Sequence, residues 1–545
     1  LYIDKTYFIK QLEEMDSKYL FFIRPRRFGK SLFLSTLSNY YDLNNKEQFD
    51  DLFSDLYIGK NPTELKTSYI VLQLNFSGLN TDSKGVLHHS FRETVRQSIV
   101  SCINKYKDIF KNHKEIVNNI GELEDIKAIL NLYLEKVKET NKKIDLIIDE
   151  YDHFAKDIIA MGDGELYRDI IRATGFVRDF YETVKIGTES VIDRIFITGI
   201  SPVMLDDLTS GFNISTNITM NKLVNQMLGF TEEEVKGIIE KIDIDLGKEQ
   251  LLLDLRKNYN GYLFNKDSSE RLYNPDMILH FFNQYLMTGD YPEQLIDDNV
   301  RTDYGRINRL VANEANREVL EDIIIEEGII ADIITRFSFD MMYDEEYFVS
   351  LLYYMGLLTI GEIKYGKTRL EIPNYAIRVI FWDYIERRLR KEYNIPYNVE
   401  ELAKSIWQMG FDGEIEGFLD YISKNVLSKL SNRDLINFDE KYIKVILFSY
   451  LVTSNLYRPL SEPEVENGYI DIYLERDIRM PEVIYEWIIE LKYLKKSERD
   501  KLTEVKEEGL RQLGKYAAST RFADKGNIKQ ALVVFIGKDE YFIYN

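Results

Sequence analysis

Two groups of residues near opposite ends of the chain have types and spacings suited to chemistry on phosphates. Near the start, an apolar run leads into Arg24-Pro25-Arg26-Arg27-Phe28-Gly29-Lys30-Ser31. Near the end, Asp471 is followed by eighteen residues and then by Glu490-Leu491-Lys492. The first group has the features of a phosphate cradle, and the second has those of a metal-dependent phosphodiesterase site.

The first group carries the residue types that hold the phosphates of ATP. Gly29 permits close approach of the backbone, Lys30 supplies a positive charge for the outer phosphates, and the Ser31 hydroxyl can ligate Mg²⁺. Arg24 occupies the position where the usual pattern has its first glycine, so the loop must turn in another way. We predict nucleotide contacts from Arg27, Phe28, Gly29, Lys30, Ser31 and Leu32.

Two later apolar runs supply the other parts of a nucleotide site. One ends in Asp149, which a buried strand would deliver to the magnesium ion, and the next residue, Glu150, is placed to polarise the attacking water. The other carries Thr198 where a sensor of the γ-phosphate would lie. These features predict a parallel sheet in which three strands are neighbours, namely those ending at Ile23, Asp149 and Thr198.

The second group has what metal-dependent hydrolysis of a phosphodiester needs. Two carboxylates, Asp471 and Glu490, would hold a divalent metal, and Lys492 would lie near the attacking water. Alternation along a strand puts Glu490 and Lys492 on one face. We therefore predict that these three side chains converge.

Residues around this second group could extend the site. Gln512 and Tyr516 are four positions apart on one predicted helix face, so both could meet a phosphate or a metal-bound water. Upstream, Glu464 or Glu466 could complete the acidic set. Between 492 and 529, eleven Lys and Arg residues face six Asp and Glu residues, a balance that suits contacts to a nucleic-acid backbone.

The first two blocks of the chain predict an ATPase domain with a lid. Residues 1–230 alternate strand-like runs with helical patterns, as an α/β domain with a P-loop-type parallel sheet requires. Residues 231–299 predict a helical lid that opens with an N-cap at Thr231. We expect strands at Leu20–Ile23, Tyr69–Asn75, Ile144–Asp149 and Arg194–Thr198.

The last two blocks predict a linker and a second α/β domain. Residues 300–396 are helical and end in a hairpin, Gly361–Lys364 with Thr368–Ile372, a combination that resembles a winged helix or a lid without DNA contact. Residues 397–545 predict a restriction-endonuclease-like α/β domain. We expect its strands at Tyr442–Phe448, Ile470–Glu475, Tyr485–Tyr493 and Gln530–Gly537.

Six short motifs resemble the AAA-ATPase-like family of bacterial proteins. They are Tyr2–Thr6, Arg24–Leu32, Asp149–Asp152, Thr198–Ser201, Asn260–Tyr262 and Tyr273–Pro275. That family characteristically joins such an ATPase to a C-terminal PD-(D/E)XK nuclease-like domain, and the resemblance spans nearly the whole chain. It implies that Arg24 is a family trait, and that ATP and Mg²⁺ or Mn²⁺ are the cofactors.

Composition limits the classes of protein to consider. A chain of 545 residues is too long for one core. It contains no uninterrupted apolar run of about 18 residues, so we do not expect a membrane span. A single cysteine excludes an internal disulfide and suggests a reducing cytoplasm. The five histidines lack the spacing of metal ligands. A net charge of −21 argues against a basic coat for nucleic acid but leaves room for a local basic groove.

The leading interpretation is an ATP-dependent or ATP-gated nuclease whose partner is nucleic acid, with DNA expected over RNA. Two other interpretations stay open. One is a nucleotide-switched scaffold whose nuclease-like domain binds without cutting, and the other is a signalling ATPase that forms homo-oligomers. The candidates for an arginine that acts between copies are Arg168, Arg172, Arg178 and Arg194.

Overall fold

In the computed structural model the chain forms two compact units. The first comprises residues 1–278, 305–320 and 328–374, and the second comprises residues 279–304, 321–327 and 375–545. The structure describes residues 2–545 apart from 156–157, 159–163, 172–174, 205–211, 243–246, 299–300, 303–310, 312, 338–343, 365, 397, 431–438, 467, 524 and 539. Among the described residues, no helix is long and apolar enough to cross a membrane.

A five-stranded sheet forms the centre of the first unit. Its strands are β1 (Tyr19–Ile23), β2 (Ile70–Asn75), β3 (Ile144–Asp149), β4 (Ile192–Gly199) and β5 (Thr216–Asn217). They are arranged β2-β3-β4-β1-β5, and all their pairings are parallel. The predicted parallel sheet is confirmed. The strands ending at Ile23, Asp149 and Thr198 are neighbours, as predicted.

Helices connect these strands and cover the sheet. They are α1 (Tyr7–Glu13), α2 (Lys30–Tyr41), α3 (Phe49–Phe53), α4 (Tyr57–Lys60), α5 (Lys84–Lys105), α6 (His113–Glu122), α7 (Ile126–Glu139), α8 (Gly164–Ile171) and α9 (Phe176–Gly187). Side chains cap the longer ones: the Ser83 side chain accepts from the N–H of Val86, and that of Asp125 accepts from the N–H of Ala128. Strand β3 is buried along its whole length, and apart from Asp145 its sequence is apolar up to the final acid, Asp149.

The chain then turns helical. The next helices are α10 (Glu232–Lys241), α11 (Lys248–Tyr259), α12 (Pro275–Thr288), α13 (Glu314–Ile325) and α14 (Glu345–Tyr354). The N-cap predicted at Thr231 is confirmed, because its side chain and that of Glu234 form a reciprocal capping box.

A small antiparallel sheet follows in the first unit. It consists of β6 (Gly328–Ile330), β7 (Thr359–Lys364) and β8 (Lys367–Glu371) in the order β6-β8-β7. The predicted hairpin is therefore confirmed, and β6 adds a strand that the sequence did not indicate. Gly366 takes a φ of 77° at the turn, a conformation that glycine adopts without strain.

The second unit is built on a mixed five-stranded sheet. Its strands are β9 (Tyr457–Ser461), β12 (Ile472–Arg476), β13 (Glu486–Leu494), β14 (Ile528–Ile536) and β15 (Glu540–Tyr544). Across the sheet they follow the order β15-β14-β13-β12-β9. Two short strands, β10 (Glu464–Val465) and β11 (Gly468–Tyr469), form a separate antiparallel ribbon. Its helices are α15 (Tyr375–Glu392), α16 (Val399–Phe411), α17 (Glu416–Tyr421), α18 (Glu440–Leu451) and α19 (Leu502–Ala517). Among these neighbouring strands, only β13 and β14 pair in parallel. Because both units combine helices with a β-sheet, the chain belongs to the α/β class.

The strand predicted at Tyr442–Phe448 is wrong. These residues lie in α18, where the Asp439 side chain caps the helix by accepting from the N–H of Tyr442. Each residue from 442 to 451 is buried. A helix buried on all sides shows no 3.6-residue alternation of apolar and polar positions, so its sequence resembles that of a buried strand.

The four predicted domains, 1–230, 231–299, 300–396 and 397–545, stay predictions. Contacts group the chain into two units instead, and residues 279–304 belong with the second one. The first unit therefore contains the α/β sheet and the β6–β8 sheet, and the second contains the mixed sheet with its helices.

Candidate active sites

Backbone geometry at the start of α2 forms the first candidate site. Gly29 is the N-cap of α2 with a φ of 94°, and Arg27 has a φ of 64°. Two left-handed residues so close together bend the loop sharply between β1 and α2. The loop therefore leads from the end of β1 directly into the N-terminus of α2, and the first turn of a helix after such a loop is an arrangement that binds phosphate.

The predicted lysine, serine and aspartate come together at this edge of the sheet. The Lys30 ammonium is buried and donates to the carbonyls of Arg24 and Pro25, at 3.0 Å each. The Ser31 hydroxyl donates to Asp149 at 2.8 Å. Burial, reinforced by the charge of Glu150, raises the pKa of Asp149, which the Ser31 hydrogen bond opposes. An aspartate and a hydroxyl in contact beside a lysine fit a phosphate-bound Mg²⁺.

Arg24 occupies the position where the usual phosphate loop has its first glycine, and its side chain makes contacts that a glycine could not make. Its guanidinium is fully buried and sits over the rings of Phe22 and Phe264, at 4.3 and 4.1 Å from their centres. Its hydrogen bonds go to three backbone carbonyls, those of Ile23, Thr219 and Val224. Burial lowers the pKa of Arg24 to about 9. Arg24 therefore ties the end of β1 to the segment 219–224 and plays a structural part.

Glu150 and Thr198 lie at the ends of the two central strands. Glu150 has a φ of 51°, and its N–H donates to the Asp149 carboxylate at 2.9 Å, which turns the chain sharply after β3. The Glu150 carboxylate is 3.8 Å from the ring of His153. The Thr198 hydroxyl is buried and has no hydrogen-bond partner among the described residues. A γ-phosphate would satisfy such a hydroxyl.

The other predicted loop residues differ in accessibility. Phe28 is buried against the rings of Tyr262 and Phe264, so only its backbone is available to a nucleotide. Leu32 is 61% exposed. Arg27 forms an ion pair of 3.2 Å with Asp276.

The four arginines considered for action between copies are not equivalent. Arg194 is buried near the start of β4, at the sheet end opposite Thr198, with its guanidinium over Tyr41, so it cannot reach another copy and that expectation is wrong. Arg178 pairs with Glu182 at 2.8 Å. Arg168 is exposed, and Arg172 lies outside the described residues.

Two neighbouring strands of the second unit bring the second group together. Strand β12 pairs antiparallel with β13, and Asp471 directly precedes β12. Its carboxylate accepts from the N–H of Leu491 at 2.9 Å. The Lys492 ammonium lies 2.7 Å from Glu490 and 3.6 Å from Asp471. The predicted convergence of these three side chains is confirmed.

Burial and charge couple these groups strongly. Burial and the nearby charge of Asp471 raise the pKa of Glu490 to about 7, although Lys492 opposes the shift. Burial would lower the pKa of Lys492, but the charges of Asp471 and Glu490 outweigh it and raise this pKa well above its ordinary value. Two carboxylates that repel one another and share one lysine mark a site with affinity for a cation.

Unsatisfied oxygen atoms support a cation at this site. One carboxylate oxygen of Glu490 and the side-chain oxygen of Gln512 are buried without a hydrogen-bond partner among the described residues. Tyr516 lies on α19 together with Gln512 and is buried. Burial and the charges of Glu490 and Asp471 raise the pKa of Tyr516. No group of three or more His, Cys, Asp or Glu side chains that could hold a metal occurs in the described part of the chain. Further ligands would therefore be side-chain amide, backbone, water or phosphate oxygens.

Sequence reasoning missed one acid at this site. Glu440, the first residue of α18, accepts from the N–H of Tyr493 at 3.2 Å. Burial raises the pKa of Glu440, with Lys492 lowering it and Asp471 raising it, so this carboxylate faces the site from the helix side. Had residues 440–451 been assigned to a helix from the sequence, Glu440 at its start could have been considered for this site.

The acids proposed upstream do not complete the set. Glu466 accepts hydrogen bonds from the N–H and hydroxyl of Thr520, so it caps a turn instead. Glu464 is exposed on β10. Several basic residues of the 492–529 segment are also committed to partners: Arg499 pairs with Glu540, and Lys525 pairs with Glu486.

Two family models match the chain. Residues 1–209 match the model described as "Predicted AAA-ATPase", and residues 438–544 match the one described as "PD-(D/E)XK nuclease superfamily". The first match contains the loop before α2, Asp149 and Thr198. The second contains Glu440, Asp471, Glu490 and Lys492.

Individual relatives are more distant. An uncharacterized protein from the vnfD 5' region of Azotobacter chroococcum mcd 1 is 25% identical over 392 residues, which are 69% of this chain and 64% of that protein. The chain thus spans less than two thirds of that relative. The Walker-type ATPase PABY2304 of Pyrococcus abyssi shares 11% identity at a TM-score of 0.39, covering 69% of this chain and 94% of that one. The ORC2 protein of Aeropyrum pernix shares 11% identity at a TM-score of 0.30. The match covers 70% of this chain and 92% of that one.

Proposed function

Because this chain joins an AAA-ATPase-like region to a PD-(D/E)XK nuclease superfamily domain, we propose that it hydrolyses ATP and couples its nucleotide state to metal-dependent cleavage of nucleic acid, DNA in the first instance. The observation that carries the proposal is the convergence of Asp471 and Glu490 on Lys492. Two repelling carboxylates beside a lysine are what cleavage of a phosphodiester needs.

Each residue of the cleavage site has a proposed part. Asp471 and Glu490 would hold Mg²⁺ or Mn²⁺, which when bound would neutralise developing charge and lower the pKa of the attacking water. Lys492 would lie beside the scissile phosphate, where its raised pKa keeps it cationic. Gln512 and Tyr516 would position the phosphate from α19. The unsatisfied side-chain oxygen of Gln512 can also orient a bound water.

The ATPase site has a parallel division of labour. The N–H groups of Arg27 to Leu32 and the ammonium of Lys30 would cradle the phosphates, while Ser31 and Asp149 would hold Mg²⁺. Glu150 would orient the attacking water, and the Thr198 hydroxyl would contact the γ-phosphate. The contact between Ser31 and Asp149 supports this assignment because both are already in place for one cation.

A cleavage assay tests the proposal. Supercoiled plasmid, single-stranded DNA and RNA are incubated with the full chain and Mg²⁺ or Mn²⁺, with and without ATP. Wild type should cut DNA, and Glu490→Gln should lower the rate by at least about a hundredfold, since it removes a charge where the cation binds. Glu507→Gln, an exposed carboxylate of α19, is the matched control and should cut normally. Binding of DNA without any cutting by wild type would instead favour a nucleotide-switched scaffold.

A further inference from the structure

A buried acid, Asp152, lies close to the candidate ATPase site and has no part in the chemistry proposed above. It comes two residues after Glu150, in the turn that follows β3, and it is completely buried. Removing a carboxyl group from water costs free energy unless its oxygen atoms accept hydrogen bonds. The groups that donate to these oxygen atoms therefore indicate what Asp152 does.

The carboxyl group of Asp152 accepts hydrogen bonds from the segment that follows Thr198. One oxygen accepts from the N–H of Ile200 at 3.2 Å. The other accepts from the N–H and the hydroxyl of Ser201, at 2.9 and 2.7 Å. Ser201 is itself completely buried, so these bonds are shielded from water. Asp152 thus joins the turn after β3 to the segment after β4.

Tyr151 reinforces this junction from the neighbouring position. Its N–H donates to the carbonyl of Thr198 at 3.1 Å. Its buried hydroxyl lies 2.7 Å from the carbonyls of both Ser201 and Val203. The backbone and the side chain of Tyr151 therefore hold the same two segments together.

Gly199 permits the close approach of these segments. A Cβ atom at this position would lie 2.4 Å from an oxygen of Asp152 and 2.6 Å from the ring of Tyr151. Only a residue without a side chain avoids both clashes. The glycine next to Thr198 is therefore part of the junction.

Two groups of the proposed ATPase site lie on either side of this junction. Glu150, proposed to orient the attacking water, precedes Asp152 in the turn, and Thr198, proposed to contact the γ-phosphate, lies at the end of β4. The pairing of β3 with β4 extends only to Ile148 and Ile197, before either group is reached. Beyond that point, side chains of the turn take over from the ladder in connecting the two segments.

Building on the proposed ATPase function, we propose that Asp152 is a positioning residue for ATP hydrolysis. Its carboxyl group holds the turn that carries Glu150 against the strand end that carries Thr198, so that the attacking water and the γ-phosphate meet at a fixed separation. A misplacement of about 1 Å at an active site can cost about a hundredfold in rate. ATP affinity depends instead on the phosphate loop and Lys30, so loss of Asp152 should affect the chemical step more than binding.

Steady-state ATP hydrolysis by the full chain tests the proposal, with the Kd for ATP measured by calorimetry. Asp152→Asn keeps the size of the side chain but replaces one acceptor oxygen by an NH2 group facing N–H and hydroxyl donors. It should lower kcat by at least about tenfold and leave the Kd within about threefold. The matched control is Asp145→Asn, which changes a buried acid near the other end of β3 and should leave both quantities within about threefold.

Two further variants separate positioning from folding. Because Asp152 acts through Glu150, adding Asp152→Asn to Glu150→Gln should lower kcat by no more than about twofold beyond Glu150→Gln alone. Ser201→Ala removes only the 2.7 Å bond, so it should lower kcat by about threefold or more at an unchanged Kd and melting temperature.

Unchanged kcat in Asp152→Asn or in Ser201→Ala would overturn the proposal. So would the full loss of rate on adding Asp152→Asn to Glu150→Gln, because Asp152 would then act independently of the water-orienting group. Glu150→Gln alone tests the ATPase assignment separately. Its normal hydrolysis of ATP would reject that assignment together with the part given to Asp152, whereas its slow hydrolysis beside a fully active Asp152→Asn would reject only the latter.

Discussion

Glu490 retains a proton to unusually high pH because it is buried and faces Asp471. With its pKa raised to about 7, it is largely protonated at about pH 6 and ionised at about pH 8. A divalent cation must displace this proton, so its affinity should increase by roughly tenfold over that interval, with proton release on binding. Calorimetry with Mn²⁺ in buffers of different ionisation enthalpy measures both quantities. Equal affinity at the two pH values would contradict the assignment.

Lys30 and Glu150 should separate ATP binding from ATP hydrolysis. Lys30→Ala removes the charge aimed at the outer phosphates and should abolish binding in a calorimetric titration. Glu150→Gln keeps the loop and the Asp149 ligand, so it should bind ATP but lose about a hundredfold or more in turnover. Lys18→Ala, which removes an exposed lysine of the same unit, should change neither. Undiminished ATP affinity in the Lys30 variant would show that the loop is not the nucleotide site.

At the scale of elements, Arg24 joins β1 to the segment 219–224 and should matter for stability. Arg24→Gly restores the usual first glycine of a phosphate loop but removes a guanidinium held by three carbonyls and two rings. We expect it to destabilise the first unit by about 3–5 kcal/mol, through lost packing and buried carbonyls left without donors. Chemical denaturation monitored by circular dichroism measures this. A variant as stable as wild type would show that the loop tolerates the usual sequence.

The elements that the sequence predicted well are those whose pattern has a single interpretation. The runs that became β1 to β4 are short, apolar and bounded by polar turns, so the parallel sheet and the place of Asp149 followed from them. Asp471, Glu490 and Lys492 followed in the same way from strand alternation.

The misses have physical causes. Helix α18 is buried all round and therefore lacks a helical period, which hid both the helix and Glu440 at its start. Glu466, one of two acids considered for the site, was a candidate because its actual partner, Thr520, lies 54 positions along the chain. Pairings of that range depend on tertiary packing and leave no mark on local sequence.

At the scale of the whole molecule, the two candidate sites belong to different compact units. Lys30 and Asp149 lie in the first unit, and Asp471 and Glu490 lie in the second. Substitutions at one site should therefore spare the chemistry of the other, unless nucleotide state is transmitted between them. The net charge of −21 also limits general attraction to nucleic acid, so the proposed binding would depend on a local surface of the second unit.

The central claim is that nucleotide state controls cleavage, and one crossed measurement tests it. ATP hydrolysis and Mg²⁺-dependent plasmid cleavage are measured in the same samples for wild type, Lys30→Ala and Asp471→Ala, with Asp500→Asn as an exposed control. Wild type should cut at rates that change with ATP, and Asp471→Ala should hydrolyse ATP without cutting. Lys30→Ala should lose both hydrolysis and the effect of ATP on cutting. Cleavage by Asp471→Ala at the wild-type rate, or wild-type cleavage indifferent to ATP, would contradict the account.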